Sequence, residues 1–274
     1  MGSVTLFEIK SLLSTYHLSP LKQLSQNFLI DQNMAKLIVR ESLHGMPLPL
    51  EVYEIGPGLG ALTEFFLNEN ISLKAIEIDR GFCKVLQERF GSNPKFELIQ
   101  GNALDFPFPH VKKDTILVGN LPYNIASLLL VKLSLLPELF PRMVFTLQHE
   151  VALRLLASPK TKQFGALSVL IQSLFHIKRL RTLPKELFYP LPNVFSAVVL
   201  FEPKGTAASL TATDRTSFYA FVRKGFSQRR KKLSKVLGIP LEKRAEEIPP
   251  EHWIKLWREF KDSSIAKKVG VCKN

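Results

Sequence analysis

Glu54-Ile55-Gly56-Pro57-Gly58-Leu59-Gly60 is the stretch on which the fold turns. Upstream of it the apolar run from Glu51 to Ile55 reads as a buried strand, and downstream Leu59 to Asn68 reads as a helix. Glycines between a strand and a helix let a ligand approach the backbone, while the helix start presents free N–H groups. The spacing is G-x-G-x-G, not the G-x-G-x-x-G that cradles a dinucleotide pyrophosphate. A plain structural turn is the other reading of the glycines alone.

Working outward, further strand-like runs lie at Leu73 to Ile78, Phe96 to Ile99, Thr115 to Val118 and Arg142 to Leu147. Between and around them fall helical stretches at Asp31 to Leu43, Arg80 to Phe90 with Asp79 as N-cap, Ile125 to Leu136 and His149 to Ala157. Strands separated by helix-length segments imply βαβ units, so the expected fold is α/β, a parallel sheet with helices on both faces. Ala166 to Phe175 and Val194 to Phe201 flank a loop holding Pro184, Pro190 and Pro192. They are expected to close the sheet as a strand pair, with a helix as the alternative for the first.

Past Glu202-Pro203-Lys204-Gly205 the composition changes, and Thr206 to Thr213 reads as a linker of small and polar residues. This divides the chain into a domain of residues 1–205 and an α-helical, basic domain of residues 206–274. In the second, Trp253 and Trp257 stand one helical turn apart and supply something to bury.

Composition narrows the partners. Hydrophobic residues make up 46% of the 274, enough for a sizeable core, so the chain is globular and not a disordered binder. Lys and Arg number 37 against 24 acids, a formal charge of +13, which favours a polyanion such as nucleic acid or an anionic membrane surface. Only Cys83 and Cys272 occur, and the six His (His17, His44, His110, His149, His176, His252) are scattered. No disulfide framework or metal site is expected, and a reducing cytoplasm fits best. The start resembles no signal peptide, since Met1 to Leu13 carries Glu8 and Lys10. Ile125 to Phe140, the greasiest stretch, contains Lys132 and Pro137 and is too short to span a bilayer.

Three polar residues stand at expected strand ends. Glu77 comes 21 residues after Gly56, where a carboxylate accepts the two hydroxyls of a ribose. With no pyrophosphate to hold, the loop suits a nucleoside bearing an amino-acid tail, S-adenosylmethionine. Asn102 could meet the cofactor's adenine, or simply cap its loop.

Asn120-Leu121-Pro122-Tyr123 follows the fourth strand. An aromatic-type amine such as adenine N6 is a poor nucleophile, because its lone pair is delocalised into the ring. The Asn120 side-chain oxygen and the Leu121 carbonyl could accept its two N–H hydrogens and aim the lone pair at a methyl donor. Tyr123 would stack on the unstacked base, worth on the order of 1–3 kcal/mol. Taken out of context, the tetrapeptide is equally a chance turn.

Over nearly its full length the chain resembles the small-subunit ribosomal RNA adenine dimethyltransferases, the bacterial KsgA family. The resemblance is carried by Ser25-Gln26-Asn27-Phe28-Leu29, Glu54 to Thr63, Glu77-Ile78-Asp79, Asn120 to Tyr123, Leu147 to Ala152, Phe164 to Val169, Phe188-Tyr189-Pro190-Leu191-Pro192 and Phe226 to Leu233. It implies a class I (Rossmann-like) methyltransferase whose cofactor site is lined by Asn27, the Leu29 backbone, Gly56, Glu77, Asn102 and Asn120. It also implies that Phe188 stacks on the target adenine opposite Tyr123, although locally that Phe reads equally as core. The implied partner is small-subunit RNA in a 30S or pre-30S particle, with two adjacent adenosines near its 3′ end each dimethylated by a cytoplasmic monomer without membrane contact. Ser25, Asn102 and His149 depart from the family's usual Gly, Asp and Lys.

From Arg223 to Lys235 the chain holds basic residues and no acid, expected to form a helix with Arg223, Arg230 and Ser234 on a phosphate-facing side. A solvated surface helix is the plainer reading. Three rivals share parts of this pattern: a large-subunit adenine methyltransferase conferring macrolide resistance, a non-catalytic RNA-binding assembly factor, and a DNA adenine methyltransferase. The basic segment argues against the first and an intact clamp against the second. No recognisable target-recognition region supports the third.

Overall fold

The computed structural model describes residues 5–20, 26–47, 50–69, 71–108, 111–122 and 124–262. Tyr123, Ser25, His110 and Cys272 lie outside the described residues. The described residues fall into two compact units, one within 5–129, 140–149 and 178–202, the other within 130–139, 150–177 and 203–262.

The first unit is organised by a seven-stranded sheet. In chain order its strands are β2 (Glu51–Ile55), β3 (Ser72–Glu77), β4 (Phe96–Gln100), β5 (Thr115–Asn120), β6 (Arg142–Gln148), β7 (Phe175–Leu183) and β9 (Ser196–Pro203). They lie in the order β4-β3-β2-β5-β6-β9-β7. The first five are mutually parallel, and β9 runs antiparallel to β6. Continuous burial of β5 and β6 is what a sheet covered on both faces demands.

Helices α2 (Gln32–Leu43), α3 (Thr63–Asn68) and α4 (Arg80–Phe90) accompany the sheet. The Asp31 carboxylate caps α2 by accepting from Met34 N at 2.7 Å, and Asp79 caps α4 from Gly81 N and Phe82 N. An N-terminal helix α1 (Leu6–Thr15), closed by a Thr5–Glu8 capping box, buries Ile9 and Leu13 in a cluster with Phe28, Leu59, Phe82 and Val85. A two-residue ladder pairs β1 (Phe28–Leu29) with β8 (Phe188–Tyr189).

Strand β2 lies between β3 and β5, so the chain order reverses there and the two strand ends open a crevice, the usual ligand position in such sheets. Gly119 keeps those ends close: a Cβ on it would stand 2.5 Å from the Ile55 carbonyl oxygen, and Ile55 is its partner in the ladder.

In the second unit, α7 (Ala166–Leu174), α9 (Ala212–Phe226) and α11 (Pro250–Lys261) enclose an aromatic core. Phe221 meets Trp253 edge-on at 5.9 Å, Phe218 meets Trp257 at 5.9 Å, and Phe226 stacks on Trp253 at 5.6 Å. Buried Arg215 on α9 donates to the carbonyls of Ala207, Leu210, Leu136 and Pro137.

Four expectations need correction. Residues 166–174 form a helix, because six of the nine positions are buried and the other three half-buried, and an apolar run covered all round has no diagnostic period. The strand beside β9 is instead β7, whose alternation is hidden by exposure of charged residues on both its faces. The segment from Thr206 to Thr213 is not a free linker: it holds α8 (Gly205–Ala208), then Thr211 caps α9, and Arg215 anchors the carbonyls between. The basic run from Arg223 to Lys235 is broken, since α9 ends at Phe226 and α10 (Leu233–Val236) starts only after an intervening turn. The remaining helices are α5 (Ala126–Ser134) and α6 (His149–Leu155).

Candidate active site

The carboxyl ends of β2, β3 and β5 surround a cavity of about 270 Å³. Asn27, Leu29, Gly56, Glu77, Asn102 and Asn120 all line it, so one hollow gathers every residue expected to hold the cofactor.

Gly56 follows β2 with φ +65°, a left-handed conformation that favours glycine. A Cβ there would lie 3.7 Å from the Asn120 carbonyl oxygen and 3.8 Å from Pro122 Cδ, so the glycine turn and the start of the clamp nearly touch. The turn is held from outside by Arg89 on α4. Its guanidinium donates to the Leu59 carbonyl and pairs with Glu64 on α3 at 3.2 Å, both side chains largely buried. Nothing in the glycine pattern pointed to this strut; a basic residue on the helix after the acidic strand end was the available signal.

Glu77 ends β3 and is 5% exposed. Its Oε2 accepts from Gly58 N at 3.1 Å and its Oε1 from Asp79 N at 2.9 Å. An ionised carboxylate offers about four acceptor positions, so about two remain for a pair of ribose hydroxyls. Burial pushes its pKa up, opposed by the N–H groups of Asp79 and Gly58. Glu54, also lining the cavity, is buried further: desolvation raises its pKa to about 7, against the hydroxyl of Thr63, which donates to it at 2.6 Å.

Asn102 lines the cavity, yet its amide is engaged by its own turn. The Oδ1 accepts from Leu104 N at 3.0 Å and the Nδ2 donates to Asp105 Oδ2 at 2.8 Å. The loop-capping reading therefore describes its hydrogen bonds, and a lone pair of Oδ1 is what it can still offer a ligand.

Asn120 is the most informative residue. Its Nδ2 donates to the Asn27 backbone carbonyl at 2.7 Å. A carbonyl can only accept, so this contact fixes which way the amide points and leaves Oδ1 as the acceptor for an incoming amine. The main chain is fixed as well, with Leu121 N donating to Thr146 O at 3.1 Å. Leu121 and Pro122 border the same cavity.

The structure does not bring Phe188 to this cavity. Its ring is 3% exposed and shares a hydrophobic cluster with Leu29, Ala35 and Leu183, so the face expected to stack on a base is occupied by core contacts. Through the β1–β8 ladder it lies opposite Leu29, bracing the cavity wall from behind. Among the described residues no cluster of His, Cys, Asp and Glu could hold a metal, and no helix is long and apolar enough to cross a membrane.

A glycine turn against a strand switch, a buried carboxylate one strand over and an acceptor-fixed amide at the next define a class I methyltransferase. The donor set fits S-adenosylmethionine: acceptors for ribose hydroxyls, backbone N–H groups and a mostly apolar wall. The chain belongs to the ribosomal RNA adenine dimethylase family, whose model matches residues 19–272. Ribosomal RNA small subunit methyltransferase A of Treponema denticola is 38% identical over 84% of this chain and 79% of its own. That of Thiobacillus denitrificans is 42% identical over 80% of this chain and 85% of its own. In fold, a dimethyladenosine transferase from Plasmodium falciparum superposes with a TM-score of 0.74 at 21% identity, covering 85% of this chain and 97% of that one.

Proposed function

We infer that the chain methylates N6 of two adjacent adenosines near the 3′ end of small-subunit ribosomal RNA, twice each, using S-adenosylmethionine. The observation that carries the chemistry is the Asn120 amide, held by the Asn27 carbonyl with its oxygen left to accept. Asn120 Oδ1 and the Leu121 carbonyl take the two N–H hydrogens of the target amine. Both acceptors draw the nitrogen from planarity and turn its lone pair toward the cofactor, which supplies an electrophilic methyl on its sulfonium. Because both acceptors are fixed beforehand, little reorganisation accompanies the reaction. No general base is required, since the product cation loses its proton to water.

The choice of RNA is supported by family membership and by the +13 charge. We assign stacking on the base to Tyr123, RNA contact to residues 206–274, and action as a cytoplasmic monomer on a 30S or pre-30S particle.

The test is to incubate the protein and labelled cofactor with small- and large-subunit particles, then map methylated adenines. Label confined to adjacent small-subunit adenosines supports the assignment; label in the large subunit replaces it with the macrolide-resistance activity. Asn120→Ala should abolish transfer while particle binding survives, and undiminished transfer would sink the clamp.

A further inference from the structure

The two margins of the sheet differ in charge. On the β4 side, Lys74 of β3 lies between Glu51 of β2 at 3.0 Å and Glu97 of β4 at 3.7 Å, so each charge faces one of opposite sign. At the β7 margin, Lys178, Arg179 and Arg181 are exposed, and among the described residues none makes an ion pair or side-chain hydrogen bond with another. The neighbouring strand offers them no free carboxylate, because Glu202 of β9 is taken by Arg142 at 2.6 Å. Glu186, exposed in the turn beyond β7, is the acid nearest in sequence.

One charge of either sign suffices to guard a sheet margin against pairing with another chain. Three cations of one sign within four residues, on both faces of the strand, repel one another and exceed that need. Two are Arg, whose planar fork matches phosphate oxygens. From Lys178 to Arg181 the strand advances roughly 10 Å, comparable to the rise along a duplex axis over which one strand sets out about three phosphates. Beyond β7 the chain turns through Lys185–Leu187 into β8, where Phe188 pairs with the cavity-lining Leu29. A backbone held on β7 is thus held on the strand that leads into the wall of the methyl-transfer cavity.

We propose that the outer strand over Lys178, Arg179 and Arg181 is a docking surface for the phosphate backbone of the RNA substrate, on the sheet-bearing unit itself. This rests on the reading of the chain as a ribosomal RNA methyltransferase.

The experiment compares the full-length protein with the triple variants K178E/R179E/R181E and K178Q/R179Q/R181Q. Binding to purified small-subunit particles is measured across a salt series, cofactor binding by calorimetry and aggregation by light scattering. Glu keeps the margin charged, so that variant stays soluble if guarding were its only role. Expected for both variants is a slope of log affinity against log salt shallower by about 2, with affinity lower by roughly tenfold or more near physiological salt. Cofactor affinity should not change. Unaltered affinity and slope in a soluble Glu variant would overturn the proposal, with aggregation of the Gln variant alone marking a margin guard. Failure of the unmodified protein to bind or methylate any ribosomal particle would overturn the functional reading, and this surface with it.

Discussion

Gly119→Ala is the most demanding test of how the sheet builds the site. The added Cβ would stand 2.5 Å from the Ile55 carbonyl oxygen and 3.3 Å from its carbon, against a floor of 3.0 Å for real Cβ contacts. Backbone must therefore move by at least about 0.5 Å, and neither atom belongs to a side chain that could swing aside. Ile55 precedes the cofactor turn and Gly119 precedes the clamp, so the displacement falls on Gly56 and Asn120, which lie so near that a Cβ on Gly56 would stand 3.7 Å from the Asn120 carbonyl oxygen. Overpacking of this kind costs about 1–3 kcal/mol of stability, and a misplacement approaching 1 Å costs up to about 100-fold in rate. Single-turnover methyl transfer should therefore fall by roughly tenfold to 100-fold, with a lowered Tm. Gly205→Ala, where nothing beyond its chain neighbours and its own helix backbone lies within 4 Å of the new Cβ, is the control and should behave as the parent. Full activity and an unchanged Tm in Gly119→Ala would refute the argument that strand separation sets the geometry of the site.

Three further outcomes are expected. Arg89→Met frees the Leu59 carbonyl and strands Glu64, so cofactor affinity should fall by about tenfold with particle affinity unchanged, the asymmetry being read by calorimetry and filter binding. Glu54 is held neutral by burial, with a pKa near 7 against an unfolded 4.5, so its favourable contribution is complete below about pH 4.5 and is lost as pH rises through 7. Glu54→Gln should flatten the fall of Tm between pH 5 and 8; a parallel fall in both proteins would show that another group governs it. Arg229, which donates to the Lys162 and Phe164 carbonyls at 3.1 and 3.0 Å and pairs with Glu246 at 2.9 Å, is a strut of the second unit. Arg229→Ala should lower Tm, whereas Arg230→Ala should leave it unchanged.

Much of the site was legible because its chemistry sits at strand ends that burial makes obvious. Runs such as Thr115 to Val118 and Arg142 to Leu147 are buried on both faces, so their apolar character announces them, and Asp79 marks its helix start by capping it. What escaped had no such signature. The β7 strand is exposed on both faces and shows no alternation, and its neighbour in sequence, the helix at residues 166–174, is apolar at too many positions to betray a period. The run from Arg223 to Lys235 read as one basic helix because only folding reveals the backbone carbonyls that Arg229 satisfies. Phe188 could be read as platform or core from its proline-rich setting, and burial against Leu29 decided for core.

The hydrogen bond from Asn120 to Asn27 joins residues 93 positions apart, and the segment that supplies the carbonyl is held by a two-pair ladder to β8, a hydrogen bond from Gln26 to Asp79 and the burial of Phe28 and Leu29. Loss of that small ladder would unseat Leu29 and Phe188 from the core they share with the sheet, and the amide, released from the Asn27 carbonyl, would be able to present hydrogen instead of oxygen to the substrate. Inactivation by a half-turn of a single side chain is the fragility that such an arrangement carries.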